Sequence, residues 1–290
     1  MDKIIPRVAA VHDISGFGRC SLTVIIPVLS SMGIQVCPLP TAILSTHTDG
    51  YKNFFFHDFT CGMRGIAEHW KSEGIEFDCL YSGFLGSAKQ IAIVSDIIHE
   101  FKSRSGTLAV VDPVMGDHGK LYKTYTREMQ DKMRLLVEKA DIITPNLTEA
   151  CFLLGEAYTG EPLDAEVVKS YLKRLSDMGP ESVVITSTLL ENSCYANAAY
   201  NRRLDTYWKI SYSCIPKQYP GTGDTFTSVL VGGLLAGDSL AAAVHRATGF
   251  VEMAIRETFE CGTPEREGIL LEKVLGWLRQ KPSASSFEEF

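Results

Sequence analysis

The densest chemistry in this chain lies at Tyr219-Pro-Gly-Thr-Gly-Asp-Thr-Phe226, just before the apolar run 227–236. Gly221 and Gly223 flank Thr222, and Asp224 falls where a helix should begin. Glycine opens backbone conformations closed to other residues, so successive N–H groups can converge on one point. A helix N-terminus adds unpaired donors and the positive end of the dipole, and both favour an anion. Donors that cradle a phosphate beside a carboxylate that can take a hydroxyl proton are the parts of a phosphoryl-transfer site. The plainer alternative is that Thr222 and Asp224 merely cap the helix.

Five other clusters carry polar groups. Asp13-Ile-Ser-Gly-Phe-Gly18 is a strand-to-helix turn with a carboxylate and a hydroxyl. It is not a dinucleotide fingerprint, because Ser21 occupies the third glycine position of G-x-G-x-x-G. The loop Ser45-Thr-His-Thr-Asp-Gly50 is rich in hydrogen-bonding groups; His47 there reads either as a ligand contact or as a structural residue. Asp112 and Asp117 bracket a strand end, an arrangement that suits Mg²⁺, which takes one or two carboxylates plus waters and phosphate oxygens. Pro145-Asn146 stops another strand, and Glu149 sits one turn into the next helix, where a helix-dipole role is the alternative. A buried strand ends in the hydroxyls of Thr186, Ser187 and Thr188, which can meet phosphate oxygens.

The elements that must position these groups alternate. Apolar runs at 7–12, 34–44, 79–84, 107–111, 141–144 and 182–186 read as strands, with prolines 38 and 40 making the second irregular. Helical periodicity covers 20–32 (with Pro27 inside), 63–73, 87–102, 127–139, 147–154 and 164–178. Stretches 45–60 and 116–125 read as loops. Residues 194–200 and 206–212 predict a hairpin, and three helices follow over 224–236, 239–259 and 267–280. This alternation predicts an α/β fold of three layers, a mostly parallel sheet with helices on both faces. Ligands bind such sheets at the carboxyl ends of the strands, which gathers Asp13, Phe84, Asp112, Asn146, Ser187 and Asp224 on one edge. No linker divides the chain, so residues 1–280 are expected to form one domain, with 281–290 a disordered tail.

At 290 residues, 45% apolar and 22% charged, the chain can bury an ample core. A net charge of −7 argues against nucleic acid or an anionic membrane as partner. None of the eight cysteines forms C-x-x-C; they read as small buried hydrophobes in a reducing compartment. The start lacks the apolar core of a signal peptide, and no run reaches the ~20 residues of a membrane span, so a cytoplasmic protein is expected.

Three motifs share an order and spacing: V-D-P-V-M-G-D with Asp112 and Asp117, T-P-N-L-T-E with Asn146 and Glu149, and G-T-G-D over 221–224. Together they resemble the ribokinase-like small-molecule kinases. Within that superfamily, Ser45–Tyr51 (S-T-H-T-D-G-Y) is similar to the S-N-H-T-x-Y loop of the pyridoxal/pyridoxamine (vitamin B6) kinases, and Tyr81-Ser-Gly-Phe84 to their Y-x-G-Y/F strand end. The resemblance runs from about Val8 to Gly276. It implies a ribokinase-like fold and ATP-dependent phosphorylation of a pyridine hydroxymethyl group. It also implies Mg²⁺, room for a monovalent cation (K⁺), and a homodimer. It makes Asp224 the catalytic base and Gly221, Thr222 and Gly223 the anion hole. Asp13, His47, Thr48 and Phe84 would form the substrate pocket. Asp112, Asn146, Thr186 and Ser187 would serve the nucleotide, and Asp117 and Glu149 the metal.

Asp13 departs from this pattern, since better-known pyridoxal kinases place a serine there. D-I-S-G-F-G looks more like the D-P-S-G-G-A-G opening of the hydroxymethylpyrimidine kinases of thiamine synthesis. A carboxylate favours a ring bearing a donor or a positive charge. Hydroxymethylpyrimidine kinase is therefore the alternative enzyme, and a non-catalytic vitamin- or nucleotide-binding regulator the alternative without chemistry.

Overall fold

Four residues show how the chain divides its apolar side chains. In β5 (Leu108–Val111), Ala109 and Val111 enter one core and Val110 the other. A strand has a side-chain period of two, so a run apolar at every position can only lie between two covered faces. Val8 to Val11 divide the same way in β1 (Arg7–Ser15), as do Val183 to Ile185 in β9 (Ser182–Leu189). Each fully buried Val or Leu contributes about 1.5–3 kcal/mol.

The computed structural model describes residues 5–191, 195–280 and 287–290. After β1 come α1 (Leu22–Ser31), β2 (Gln35–Leu44), β3 (Phe56–Asp58), α2 (Thr60–Ser72), β4 (Cys79–Ser82), α3 (Ala88–Ser105) and β5. A hairpin of β6 (Gly116–Asp117) and β7 (Lys120–Leu121) leads to α4 (Arg127–Val137), β8 (Ile142–Ile143), α5 (Leu147–Leu154), α6 (Ala165–Asp177) and β9. Then follow β10 (Tyr195–Asn201), β11 (Thr206–Tyr212), α7 (Thr222–Leu235), α8 (Leu240–Cys261), α9 (Leu271–Val274) and β12 (Glu288–Glu289). The main sheet has the order β12-β11-β10-β9-β8-β5-β4-β1-β2-β3. Strands β2, β1, β4, β5, β8 and β9 run parallel; β3 at one edge and β10, β11 and β12 at the other are antiparallel. Helices α2 to α6 cover one face, and α1, α7, α8 and α9 the other. This is the three-layer, ribokinase-like arrangement that the sequence predicts.

Several expectations need correction. The 45–60 stretch is not all loop, because β3 pairs with Ala42–Leu44 at the end of β2. Pro38 and Pro40 sit where that outer edge has no partner strand, which is how β2 tolerates them. The loop at 116–125 contains the β6–β7 hairpin. The last helix is broken: α9 spans one turn and continues as a 3-10 turn over Leu275–Arg279. The expected disordered tail is ordered at its end, where β12 pairs with Trp208 and Lys209 and Phe290 packs on the core. Residues 281–286 lie outside the described residues, as does Cys194. Of the other cysteines, Cys79 and Cys151 are buried, but Cys61, Cys214 and Cys261 are exposed, so burial does not explain them all. Among the described residues no helix is long and apolar enough to cross a membrane.

Candidate active site

Helix α7 begins at Thr222, two residues before Asp224, and its N-cap is Gly221 at φ 80°. That conformation favours glycine, and a Cβ there would stand 2.2 Å from the carbonyl oxygen of Arg19. No side chain caps the helix. Thr222 donates its hydroxyl to Tyr219 O, and Gly221 O accepts the N–H and hydroxyl of Thr225. The capping alternative therefore fails for both residues. The first N–H groups of α7, which have no intrahelical acceptor, remain for a ligand.

The Asp224 carboxylate turns toward α1 and β1. Its Oδ2 accepts Ser21 N–H at 2.8 Å and lies 3.5 Å from Cys20 Sγ. Its Oδ1 lies 3.7 Å from Nδ1 of His12, a fully buried ring. Burial pushes Asp224 up to about 6; Ser21 N–H opposes that shift and the charge of Asp13 adds to it. Asp13 is buried and accepts the hydroxyls of Ser21 at 2.6 Å and Ser15 at 3.1 Å. Burial raises its pKa too, against those hydroxyls.

Asp112, at the end of β5, points toward the other side of the glycine turn: a Cβ on Gly223 would lie 3.9 Å from its Oδ2. Burial, then Glu149, then Asp224 raise Asp112 well above the carboxylate range. Asn146 and Glu149 form a capping box at the start of α5. Asn146 Oδ1 accepts Glu149 N–H, and Glu149 Oε2 accepts Asn146 N–H. Glu149 Oε1 accepts Met115 N–H and Asn146 Nδ2 donates to Gly116 O, which ties the β6–β7 hairpin to α5. Burial pushes Glu149 up to about 8 despite these donors. Asp117 is exposed and accepts His118 N–H. His118 in turn meets Gln218 on the loop before Gly221. No group of three or more His, Cys, Asp or Glu side chains is arranged to hold a metal among the described residues.

Thr186 pairs with Asn146 in an isolated parallel bridge and donates its N–H to Pro145 O. Ser187 is exposed at φ 56°. Its N–H donates to Asn197 Oδ1, and Asn197 Nδ2 donates to Thr248. This network holds Ser187 in its unusual conformation.

The expected substrate residues divide. His47 is buried with both ring nitrogens engaged: Nδ1 accepts Asp49 N–H, so Nε2–H donates to Arg266 O at 2.6 Å. Its ring lies against Gly18, where a Cβ would come within 2.4 Å of Cδ2, and edge-on to Tyr51. His47 thus fixes the 45–51 loop against the 263–268 segment, which is the structural alternative for this residue. Thr48, beside it, is exposed. Phe84 is half-buried, with Phe56 of β3 also beside Gly86.

Sequence reasoning missed His12, Cys20, Ser21, Asn197 and Arg266. His12 was accessible, because the alternation that puts Val8 and Ala10 on the α7 face puts His12 there too. The others have no local signal; Ser21 and Asp224 are 203 positions apart.

The geometry is a glycine turn opening a helix, a half-buried carboxylate beside it, and a row of further acids along the strand ends. The sequence pattern described as phosphomethylpyrimidine kinase matches residues 26–268 of this chain. A Bacteroides thetaiotaomicron protein, provisionally described by the same name and solved in a form with pyridoxal, is 51% identical. Its structure superposes with a TM-score of 0.93, covering 99% of this chain and 100% of that one. A Caenorhabditis elegans relative, provisionally named pyridoxal kinase, is 33% identical over 190 residues, 61% of this chain and 55% of its own length. An Arabidopsis thaliana pyridoxal kinase is 29% identical over 245 residues, 80% of this chain and 75% of its own.

Proposed function

This chain belongs to the phosphomethylpyrimidine kinase family, and on that footing we propose that it transfers the γ-phosphoryl group of ATP to the 5′-hydroxymethyl group of pyridoxal, pyridoxamine or pyridoxine. The observation that carries the reading is the placement of Asp224: a half-buried carboxylate, fixed through Oδ2 by Ser21 N–H, at the mouth of the uncapped α7 N-terminus. The alcohol O–H breaks as its proton passes to Asp224. The alcohol oxygen forms the new bond to phosphorus, and the bond from phosphorus to the ADP oxygen breaks. Gly221, Thr222 and Gly223 offer backbone N–H groups to the transferring oxygens, where fixed donors need no reorganisation. A base pushed up to about 6 is ionised at neutral pH yet basic enough to hold the proton.

Asp112 also fits a divalent cation. Its buried carboxylate has no hydrogen-bond donor among the described residues and faces Glu149 and Asp224, a crowd of acids that a cation would relieve. Mg²⁺ would be held there through Asp112, with Asp117 and Glu149 acting on its waters. When bound it supplies charge neutralisation to the phosphates. Asn146, Thr186 and Ser187 line the nucleotide side, and K⁺ belongs to the same proposal. On the substrate side, Asp13, Thr48 and Phe84 meet the ring, and His47 holds the loop that carries Thr48. The relative solved with pyridoxal favours the pyridine substrate. Asp13, a carboxylate able to meet an aminopyrimidine, keeps hydroxymethylpyrimidine as the second reading.

We read residues 1–280 as one catalytic domain and the protein as a cytoplasmic homodimer. The described cysteines are all free, which suits a reducing compartment. Ile43, Phe55 and Phe56 are exposed around the outer sheet edge, which suits a second copy. The test of the function is Asp224→Asn: turnover should fall by several orders of magnitude while ATP still binds. A variant with near-wild-type turnover removes Asp224 from the mechanism.

A further inference from the structure

His12 is wholly buried, and neither ring nitrogen has a hydrogen-bond partner among the described residues. Leaving buried polar atoms unpaired costs free energy, so an imidazole is an expensive choice in this core. The surroundings are shaped around it. Gly83 makes room, since a Cβ there would come within 2.2 Å of Cε1, and Tyr81 packs edge-on with 4.4 Å between ring centroids. Burial drives the titration of His12 down to about 3, so the ring is neutral at working pH and cannot be an ion-pair partner. Its Nδ1 nevertheless lies 3.7 Å from Asp224 Oδ1, the oxygen that Ser21 and Cys20 leave open.

We propose that His12 is a positioning residue for phosphoryl transfer: its Nδ1–H faces Asp224 Oδ1 and keeps that carboxylate ionised and aimed until the substrate alcohol delivers its proton. The inference rests on Asp224 being the base. Oδ1 has two lone-pair directions, one for His12 and one for the alcohol. The ionised carboxylate selects the tautomer, because a nitrogen lone pair turned toward it would be repelled. Closing 3.7 Å to a hydrogen bond takes a movement of about 0.7 Å, and catalytic hydrogen bonds commonly tighten when substrate binds. The other groups facing Asp224 are Asp13 from β1, Cys20 and Ser21 from the approach to α1, Tyr81 from β4 and Asp112 from the end of β5. Asp13 raises the Asp224 carboxyl, and the Ser21 N–H and Cys20 thiol at Oδ2 lower it; a donor at Oδ1 complements those at Oδ2.

The test combines pH profiles of kcat/KM for pyridoxal with ¹⁵N spectra of histidine-labelled full-length protein. His12→Phe keeps an apolar ring and removes the donor, so the acid limb should move up by about one pH unit, a roughly tenfold loss at pH values below it. His12→Asn places an amide N–H near the Nδ1 position and should return the limb most of the way. In the unaltered protein the His12 resonances should show the proton on Nδ1. An unshifted limb in His12→Phe, or a proton on Nε2, overturns the inference; the second readout stands even where the variants fold poorly. Asp224→Asn separates the two readings. If it keeps turnover, the base assignment fails. If it is inactive while the His12→Phe limb is unmoved, only the role of His12 fails.

Discussion

Alanine at Gly221 and alanine at Gly223 should behave in opposite ways, although the two residues share one turn. At Gly221 the backbone is left-handed, φ 80°, which costs a residue with a Cβ about 1–2 kcal/mol. The new methyl would lie 2.2 Å from Arg19 O and 3.1 Å from Arg19 C. These are backbone atoms, so no rotamer relieves the overlap; the 19–20 turn or the first turn of α7 must move, at about 1–3 kcal/mol more. The total, roughly 2–5 kcal/mol, corresponds to a fall in Tm of roughly 5–15 °C for a chain of this size. The same shift would pull Ser21 N–H from Asp224, so turnover should fall as well. At Gly223 the nearest atom to an added Cβ is Asp112 Oδ2 at 3.9 Å, and alanine is the better helix former. Tm should hold or rise slightly, while a methyl between the cradle and Asp112 should lower turnover about 10²-fold, the scale of a lost oxyanion contact. Thermal denaturation and steady-state turnover on both variants decide the matter. A Gly221→Ala protein as stable and active as wild type would refute the steric reasoning. A Gly223→Ala protein that loses stability but not specific activity would refute the placement of the cradle.

Glu149 is raised to about 8 in the fold against an ordinary value near 4.3 in the unfolded chain. The folded state therefore binds the extra proton between those values, and stability declines as pH rises through that window. Glu149→Gln should flatten the decline of Tm between about pH 5 and 8, and parallel curves for the two proteins would count against a protonated Glu149. His47→Phe loses the hydrogen bond to Arg266 O and frees the 45–51 loop, so KM for the vitamin should rise about tenfold with kcat changed little. A fall in kcat at constant KM would instead put His47 in the chemical step.

The layered fold was legible because its central strands carry unbroken apolar runs, and β5 and β8 end abruptly at Asp112-Pro113 and Pro145-Asn146, where proline cannot continue the ladder. Helix α5 was legible to the residue for the same reason, bounded by Asn146 and by Gly155 at φ 74°. Strands β3 and β12 were not, because two or three exposed residues form a strand only where an edge is waiting. Within the site, Asp224 and its glycines announced themselves through local spacing. Their partners did not. Ser21, Cys20 and His12 reach Asp224 through the packing of α7 against α1 and β1, and nothing near 12–21 in sequence refers to position 224. The Asn146–Glu149 pair shows a subtler limit: the family resemblance assigned Asn146 to the nucleotide and Glu149 to the metal, and the structure adds that the same atoms already staple a hairpin and cap a helix.

The most direct measurement of the central claim is ADP release by the purified protein with ATP and Mg²⁺, on pyridoxal, pyridoxamine, pyridoxine and hydroxymethylpyrimidine in parallel, with Asp224→Asn as the control. The account predicts turnover on the B6 compounds that exceeds turnover on the pyrimidine and disappears in the variant. Faster turnover of the pyrimidine would contradict the substrate assignment, and no turnover on any of the four, with ligand binding intact, would contradict the assignment as a kinase.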